Sequence, residues 1–200
     1  MATPSILHQI CADQLLAQSQ RLSFAQLSEA EADAIAKIAQ YQQWSDGTFL
    51  SNFGDSLAQA PCFLLLEGNV AVQIPLPDGR APVVANVEIP GCIFGTDALF
   101  MPTERYARYL ADGDVACALF TANSIETLAK WRPELAYKLM ALVSACIFRN
   151  FRVNVKRLAI DAAMQLNEKE QFEGELKAAQ FRAKVALGIN PEEPPTTSRY

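Results

Sequence analysis

The apolar positions at the start of the chain recur with the period of an α-helix. Thr3 followed by Pro4 fits a helix start, because proline at the first helical position lacks only an N–H that the helix does not use. Ser28 and Glu31 have the spacing of a capping box. The apolar face that follows consists of Ala32, Ile35, Ala36 and Ala39. This pattern predicts helices within residues 1–43.

From Trp44 the pattern changes to the two-residue period of β-strands. Asp46-Gly47 and Asp78-Gly79 are hairpin signals, and Glu67-Gly68 and Pro90-Gly91 separate further short apolar runs. The clearest alternation is the run Val70, Ala71, Val72, Gln73 and Ile74. Short strands with frequent turns predict a jelly-roll-like antiparallel β-roll over residues 44–122.

The helical period returns in residues 123–190. Residues 123–126 predict a helix start, and Gly188 and Pro191 predict the helix end, with a flexible tail over residues 191–200. One apolar stripe consists of Leu135, Leu139, Leu142 and Cys146. The predicted class is therefore α+β, mainly antiparallel β, with the roll flanked by N-terminal helices and a long C-terminal helix.

A separate, mostly apolar 3-4 spacing begins at Phe148 in this helix and indicates a coiled-coil-like seam. Its members are Phe148, Phe151, Val155, Leu158, Ala162, Gln165, Lys169, Phe172, Leu176, Ala179, Ala183 and Ala186. A seam this apolar has to be buried against the chain's own roll, a protein partner or a second copy. Of these three we expect a homodimer.

Basic residues lie beside the first half of the seam, with Arg149, Arg152, Lys156 and Arg157 in nine residues that contain no acid. This face is either solvated or contacts an acidic protein, an anionic membrane surface or nucleic acid. The predicted interaction surface comprises Phe148, Arg149, Phe151, Arg152, Val155, Lys156 and Leu158.

Composition narrows the class of protein. Seventeen basic and 22 acidic residues give a net charge of −5, which argues against a globally cationic nucleic-acid binder. The 5 cysteines are scattered and indicate buried thiols in a reducing compartment rather than disulfides. No apolar run approaches the length of a transmembrane helix, and no leader pattern begins the chain. These features predict a cytoplasmic protein.

Catalytic and metal-binding patterns find little support in the sequence. His8 is the single histidine and precedes the roll, which argues against three-histidine metal sites, Ser-His-Asp triads and Cys-His pairs. No P-loop and no GxGxxG is present. We therefore expect neither an enzyme nor a metal site.

Residues 90–107 have the makings of an anion cradle. Pro90-Gly91 forms a turn, Gly95 opens a short helix whose free N–H groups can point at an anion, and Arg105 supplies a guanidinium. The candidate ligand residues are Gly95, Thr96, Asp97, Ala98, Arg105, Tyr106 and Ala107.

This segment resembles the phosphate-binding cassette of the cyclic-nucleotide-binding domain. The resemblance covers roughly residues 27–157 and implies that family's roll. Residues 63–70 are similar to the family's Leu-x-Glu-Gly-x-Val strand, and Arg132-Pro133 matches the loop before its last helix. Relatives of this fold commonly pair through the helix after the roll, which implies the same kind of homodimer here. The DNA-binding winged helix of catabolite activators is not apparent after residue 157, so no DNA partner is expected.

The cassette departs from the family pattern at residues that carry specificity. Thr96 stands where the family has a glutamate for the ribose hydroxyl, and Tyr106 stands where a small hydroxyl residue would meet the phosphate. Arg105 and Ala107 match. Arg105 either clamps a cyclic phosphate or another small anion, or it is a structural residue paired with Glu104 or Asp97.

These observations predict a non-enzymatic regulatory or adaptor protein with a degenerate ligand pocket and no cofactor, which acts on a protein partner or on itself through its C-terminal helix. Two alternatives stay open. One is a genuine sensor of cAMP or cGMP that relays occupancy to that helix, and the other is a structural component of an assembly that uses the roll as a rigid block.

Overall fold

The structure is a computed structural model that describes residues 2–56, 60–75, 83–87, 89–100, 104–105 and 107–186. The chain divides into two compact units, Met1–Arg149 and Asn150–Tyr200. The first unit holds the sheet and most of the helices, and the second unit contains the C-terminal part of the last helix.

Helices flank an antiparallel sheet, as the sequence predicts, and the class is α+β. Within the described residues, no helix is both long and apolar enough to cross a membrane. The elements are α1 (Pro4–Ser19), α2 (Glu29–Ala36), β1 (Gln40–Trp44), β2 (Phe49–Ser51), β3 (Cys62–Ile74), β4 (Val83–Val87), β5 (Ile93–Phe94), α3 (Asp97–Phe100), β6 (Arg108–Phe120), α4 (Ala122–Trp131) and α5 (Pro133–Ala186).

The two long strands β3 and β6 organise the sheet. They pair with each other, and the strand order is β1-β6-β3-β4, with β2 also on β6 and β5 also on β3. All of these pairings are antiparallel. Because successive side chains of a strand point to opposite faces, the buried parts of β3 and β6 supply both faces of the sheet with apolar residues.

Two hydrophobic clusters cover the two faces. Leu64 and Leu66 of β3 belong to the cluster that includes the helices α1, α2, α4 and the start of α5. Phe63 and Leu65 belong to a second cluster with Phe94, Tyr109 and other residues of the roll. Burial on both sides explains why this part of β3 is a continuous apolar run rather than an alternating one.

The predicted helix signals are mostly confirmed. Pro4 is the first residue of α1, and Ser28 and Glu31 form a complete capping box at α2. A hydrogen bond from Lys138, together with one from Ser28, holds the pKa of Glu31 below its usual value. The predicted start of α4 is wrong, because the capping box is formed by Thr121 and Ser124 rather than by residues 123–126.

The Asp46-Gly47 signal does not make a hairpin between paired strands. The strands on either side of it, β1 and β2, do not pair with each other. Both pair with β6, so the turn is a bend between two successive strands that run along the same neighbouring strand. The Asp46 side chain instead accepts a hydrogen bond from the Gly113 N–H of β6 at 2.8 Å. The first strand also begins at Gln40, ahead of the expected start at Trp44.

Glu67-Gly68 is a bulge inside β3 rather than a break between strands. The pairing of β3 with β6 shifts register on both sides of Glu67. Gly68 has φ +86°, and a Cβ atom there would lie 2.2 Å from the Asp114 carbonyl oxygen. Glycine thus lets the bulged strand stay close to β6. The Asp78-Gly79 signal and the predicted tail of residues 191–200 lie outside the described residues.

The bulge gives a stability prediction. Gly68→Ala is expected to lower the free energy of unfolding by about 3 kcal/mol, because it combines a strained φ with a clash against backbone. Gly113→Ala is the matched control, since Gly113 has φ +81° but no atom within 4 Å of the position that a Cβ would take, and about 1 kcal/mol is expected there. Urea unfolding of both variants measures the difference, and equal losses would contradict the close approach at Gly68.

Candidate functional site

The predicted ligand segment begins at a tight turn between β5 and α3. Gly95 has φ +66°, in the left-handed region where other residues are strained. A Cβ atom there would come within 2.9 Å of Arg105 Nη1 and 3.0 Å of the Phe63 ring. Both the backbone conformation and the close approach of the arginine therefore require glycine.

Two backbone donors of this turn are used inside it. The Ala98 N–H donates to the Gly95 carbonyl at 3.3 Å, and the Leu99 N–H donates to the Thr96 carbonyl at 3.0 Å. A free N–H group at a helix start is what an anion would need. These two groups are therefore not available to a ligand in this arrangement.

Arg105 is 2% exposed and is the largest fully buried side chain of the described residues. Its Nη1 donates to Asp97 Oδ1 at 2.6 Å and to the Gly95 carbonyl at 3.0 Å. Its Nη2 donates to the Pro61 carbonyl at 2.9 Å, and its Nε donates to Ser51 Oγ at 3.2 Å. The protein itself thus engages four donors of a guanidinium that has five.

Aromatic rings enclose the same guanidinium. Its Cζ lies 5.8 Å from the centroid of the Phe63 ring and 5.4 Å from that of Tyr109, which is within the range of cation–π attraction. Phe94 stacks on Phe63 with the centroids 5.1 Å apart. These rings belong to the second hydrophobic cluster, so the arginine is embedded in the core of the roll.

Asp97 balances the charge of Arg105. Its side chain is 10% exposed, against 0% for that of the arginine. The second carboxylate oxygen, Oδ2, is buried and has no hydrogen-bond partner among the described residues. Because the two opposite charges are in direct contact, the pair attracts an approaching phosphate far less than an unpaired arginine would.

The loop between β2 and β3 supports the arginine from the other side. Asp55 Oδ2 accepts hydrogen bonds from Ser51 Oγ at 2.9 Å and from the Asn52 N–H at 2.6 Å. The Arg105 N–H donates to the Asp55 carbonyl at 2.9 Å, and the Gly54 N–H donates to the Arg105 carbonyl at 3.0 Å. Both the backbone and the side chain of Arg105 are therefore held by this loop.

Gly95, Asp97 and Arg105 are thus brought into direct contact among the predicted site residues. Ala98 and Ala107 are buried, and Thr96 is partly exposed. Tyr106 lies outside the described residues. Sequence reasoning missed Ser51 and Pro61 as partners of the arginine. No pattern could have found Pro61, since it contributes a backbone carbonyl that every residue has.

The predicted interaction surface divides at the boundary between the two units. Arg149 is tied into the first unit, where its Nη1 donates to Gln18 Oε1 at 2.9 Å and its Nη2 lies 3.7 Å from Cys146 Sγ. Arg152 and Lys156 are exposed in the second unit. The exposed apolar members are Phe148 (62%), Phe151 (61%) and Val155 (45%). The side chain of Leu158 is outside the described part of the chain.

The surface cavities formed by described residues of the first unit include the following two. An open apolar groove of about 540 Å³ is lined by Leu22, Phe24, Tyr137, Met140, Ala141, Ser144 and Ala145. A smaller cavity of about 230 Å³ is lined by Ala2, Gln43, Trp44, Glu67, Asp114, Val115 and Ala116. Neither includes a candidate ligand residue.

A polar cluster around His8 was not anticipated from the sequence. His8 Nε2 lies 2.8 Å from Asp33 Oδ1, and Nδ1 lies 3.4 Å from the Tyr41 hydroxyl. That hydroxyl donates to the Ala36 carbonyl at 2.6 Å. The hydrogen bond with His8 is the main cause of a lowered Asp33 pKa. The cluster connects α1, α2 and β1, and its role in this geometry is to hold them together.

None of the five cysteines forms a disulfide, and burial makes the thiols of Cys11, Cys62, Cys117 and Cys146 poor nucleophiles by raising their pKa. Burial raises the pKa of both Cys11 and Cys62 to about 12, so each stays protonated at neutral pH. In the part of the chain that the structure describes, no group of three or more His, Cys, Asp or Glu side chains has an arrangement that could hold a metal ion.

Comparison with known proteins gives matches of structure but not of sequence. No protein-family model matches the chain, and no curated protein matches its sequence. A cyclic nucleotide-binding domain from Methylobacillus flagellatus matches with a TM-score of 0.67 and 20% identity, covering 73% of this chain and 81% of that one.

Two further solved structures match the same fold. The N-terminal domain of a transcriptional regulator from Streptomyces coelicolor has a TM-score of 0.56 and 24% identity, covering 70% of this chain and 94% of that one. The Thermus thermophilus catabolite activator protein has a TM-score of 0.53 and 22% identity, covering 66% of this chain and 61% of that one. At these identities the likeness is one of fold.

The buried ion pair gives the second prediction. Arg105→Met is expected to lower the free energy of unfolding by about 3–5 kcal/mol, because the Asp97 carboxylate would then be buried without a partner. Arg105→Met combined with Asp97→Asn should recover part of that loss, since no buried charge remains. Chemical unfolding monitored by fluorescence provides the measurement.

Arg108→Met serves as the control for this experiment. Arg108 also lies near aromatic rings, 4.9 Å from the centroid of Phe49 and 5.0 Å from that of Phe53, but it is partly exposed and bonds to Gln73. A loss of about 1 kcal/mol is expected there. If Arg105→Met were no worse than Arg108→Met, Arg105 would not be a structural anchor.

Proposed function

We propose, on the premise that this chain has the fold of the cyclic-nucleotide-binding-domain superfamily, that it is a non-enzymatic regulatory or adaptor protein. In this proposal the ligand pocket is degenerate, and the chain acts through its C-terminal helix, first of all on a second copy of itself. The absence of disulfides among the five cysteines supports action in the cytoplasm.

The proposal that the ligand pocket is degenerate rests on the hydrogen bonds that Arg105 makes within the protein. A phosphate that held this guanidinium through two adjacent N–H groups would have to displace Asp97, Gly95, Pro61 or Ser51 from it. Displacing Asp97 would leave a largely buried carboxylate unpaired, which costs several kcal/mol. A charge-assisted hydrogen bond to the phosphate returns about 1.5–3 kcal/mol, so the exchange is unfavourable.

The ribose side of the pocket also lacks its contact. Thr96 has no carboxylate to accept a ribose hydroxyl, and one oxygen of the neighbouring Asp97 is already bound to Arg105. A cyclic nucleotide would therefore lack a carboxylate for its ribose hydroxyl as well as the Arg105 guanidinium for its phosphate. These losses together correspond to at least a hundredfold in affinity, since each 1.4 kcal/mol is tenfold.

The second unit supports action through α5. Every described side chain between Phe151 and Ala183 is exposed. The large apolar ones include Phe151, Val155, Phe172 and Leu176, all of them seam positions. An isolated helix gains little stability in water without burying an apolar face, which favours association with another helix.

The pocket proposal predicts weak binding of cyclic nucleotides. cAMP and cGMP are expected to bind with a Kd no lower than about 100 μM in titration calorimetry. Asp97→Ala releases Arg105 and should improve the affinity if the cradle can still form, whereas Asp97→Ala with Arg105→Met should abolish the gain. A low-micromolar Kd for the unmodified chain that disappears in Arg105→Met would instead establish the nucleotide sensor.

The helix proposal predicts a dimer that depends on the seam. The unmodified chain is expected to be dimeric at about 100 μM by light scattering, and Phe151→Asp with Phe172→Asp should make it monomeric. Val153→Asp is the matched control, because Val153 is 61% exposed like Phe151 but lies on the opposite side of the helix. An unmodified chain that is monomeric at this concentration would contradict self-association.

A further inference from the structure

Charge is segregated along the part of α5 that belongs to the second unit. Residues 152–157 hold three basic residues and no acid, and residues 161–175 hold five acids and one lysine. Basic residues return at Lys177, Arg182 and Lys184. Such blocks matter when two copies of one helix pair, because the direction of pairing decides which block meets which.

We propose that the occupant of the exposed seam is a second copy of α5 in antiparallel orientation. This inference rests on the self-association proposed above and adds its direction and register. The observations that carry it are the exposure of Phe151, Val155, Phe172 and Leu176 and the complementarity of the two charge blocks.

Parallel pairing in register is unfavourable in two places. Lys169 is a seam position, so the two copies would bring Lys169 against Lys169. Glu168 and Glu173 flank the seam at the spacing that faces across a parallel pair, so each copy would also set a glutamate against a glutamate. The acidic blocks would coincide, and no opposite charges would meet at these flanking positions.

Antiparallel pairing removes both of these conflicts and brings one pair of opposite charges together on each side of the axis, although it sets Asp161 of each copy opposite Glu168 of the other. Arg152 and Glu173 each directly follow a seam phenylalanine, so they occupy equivalent flanking positions, and such positions face each other across an antiparallel pair. With the two-fold axis near residue 163, Arg152 of each copy faces Glu173 of the other. Lys169 then faces seam position 158 instead of another lysine.

The same register brings the exposed apolar residues together. Phe151 of one copy falls opposite Leu176 of the other, and Val155 falls opposite Phe172. The paired segment from residue 151 to residue 176 is about 38 Å long at 1.5 Å per residue. This is long enough for several layers of the seam on each side of the axis.

Charge reversal on the full chain tests the direction. Arg152→Glu alone and Glu173→Arg alone are each expected to raise the dimer Kd about tenfold, because each sets like charges opposite each other twice per dimer. An equimolar mixture of the two variants should restore the Kd of the unmodified chain, since residues 152 and 173 are then opposite in sign at both places where they face each other. Analytical ultracentrifugation measures all three, and Lys177→Glu serves as a charge-matched control away from the pair.

Engineered cysteines give an independent readout of register. Chains carrying Phe151→Cys and chains carrying Leu176→Cys, distinguished by tags of different mass, are expected to form a mixed disulfide when oxidised together. Neither variant should cross-link to itself, because the same position of the two copies is distant in an antiparallel pair.

The opposite results would overturn the arrangement. A parallel dimer would be strengthened by Glu173→Arg, which would then face Glu168, and Phe151→Cys would cross-link to itself. These outcomes would reject the antiparallel register while leaving self-association in place. A monomeric unmodified chain would reject self-association and this arrangement together.

Discussion

The site depends on the hydrogen bonds and the ion pair of one guanidinium buried in the roll, that of Arg105. Arg105 joins three separate parts of the chain, the Ser51–Asp55 loop, the Pro61 carbonyl before β3 and the turn at Gly95. A charged group in such a place is stable only when its donors are matched and its charge is neutralised, and Asp97 supplies the neutralisation. The rings of Phe63 and Tyr109 lie within cation–π distance of the guanidinium and add to its stabilisation.

The hydrogen bonds of Arg105 show that a chain can share a fold without sharing the ligand contacts found in that fold. An arginine can hold a phosphate or hold its own roll together, but the same N–H groups cannot do both at once. Here the acceptors are protein atoms, and the glycine turn that brings the backbone close to the arginine serves this internal network. A likeness of fold to cyclic nucleotide-binding domains is thus compatible with a different use of the pocket.

Helix α5 has a buried apolar face in the first unit and exposed apolar side chains in the second unit. In the first unit Leu135, Leu139 and Leu142 are buried in the cluster shared with the other helices. In the second unit the described side chains are exposed, and they include the seam residues Phe151, Val155, Phe172 and Leu176. The seam begins at Phe148, two residues after the buried stripe ends at Cys146, so it occupies a different face of the helix from that stripe. The helix pairing proposed above would bury this exposed face.

Local patterns determined the helix starts at Pro4 and Ser28, the buried stripe of α5 and the glycine turn at residue 95, because each depends on residues a few positions apart. Tertiary structure decided the rest. Because β1 and β2 both pair with β6, Asp46-Gly47 forms a bend between two strands on the same neighbour instead of a hairpin. Pairing with β6 likewise makes Glu67-Gly68 a bulge within β3, and neither pairing can be read from residues a few positions apart. The hydrogen-bond partners of Arg105 at Pro61 and Ser51 are 44 and 54 residues away, so packing rather than spacing selected them.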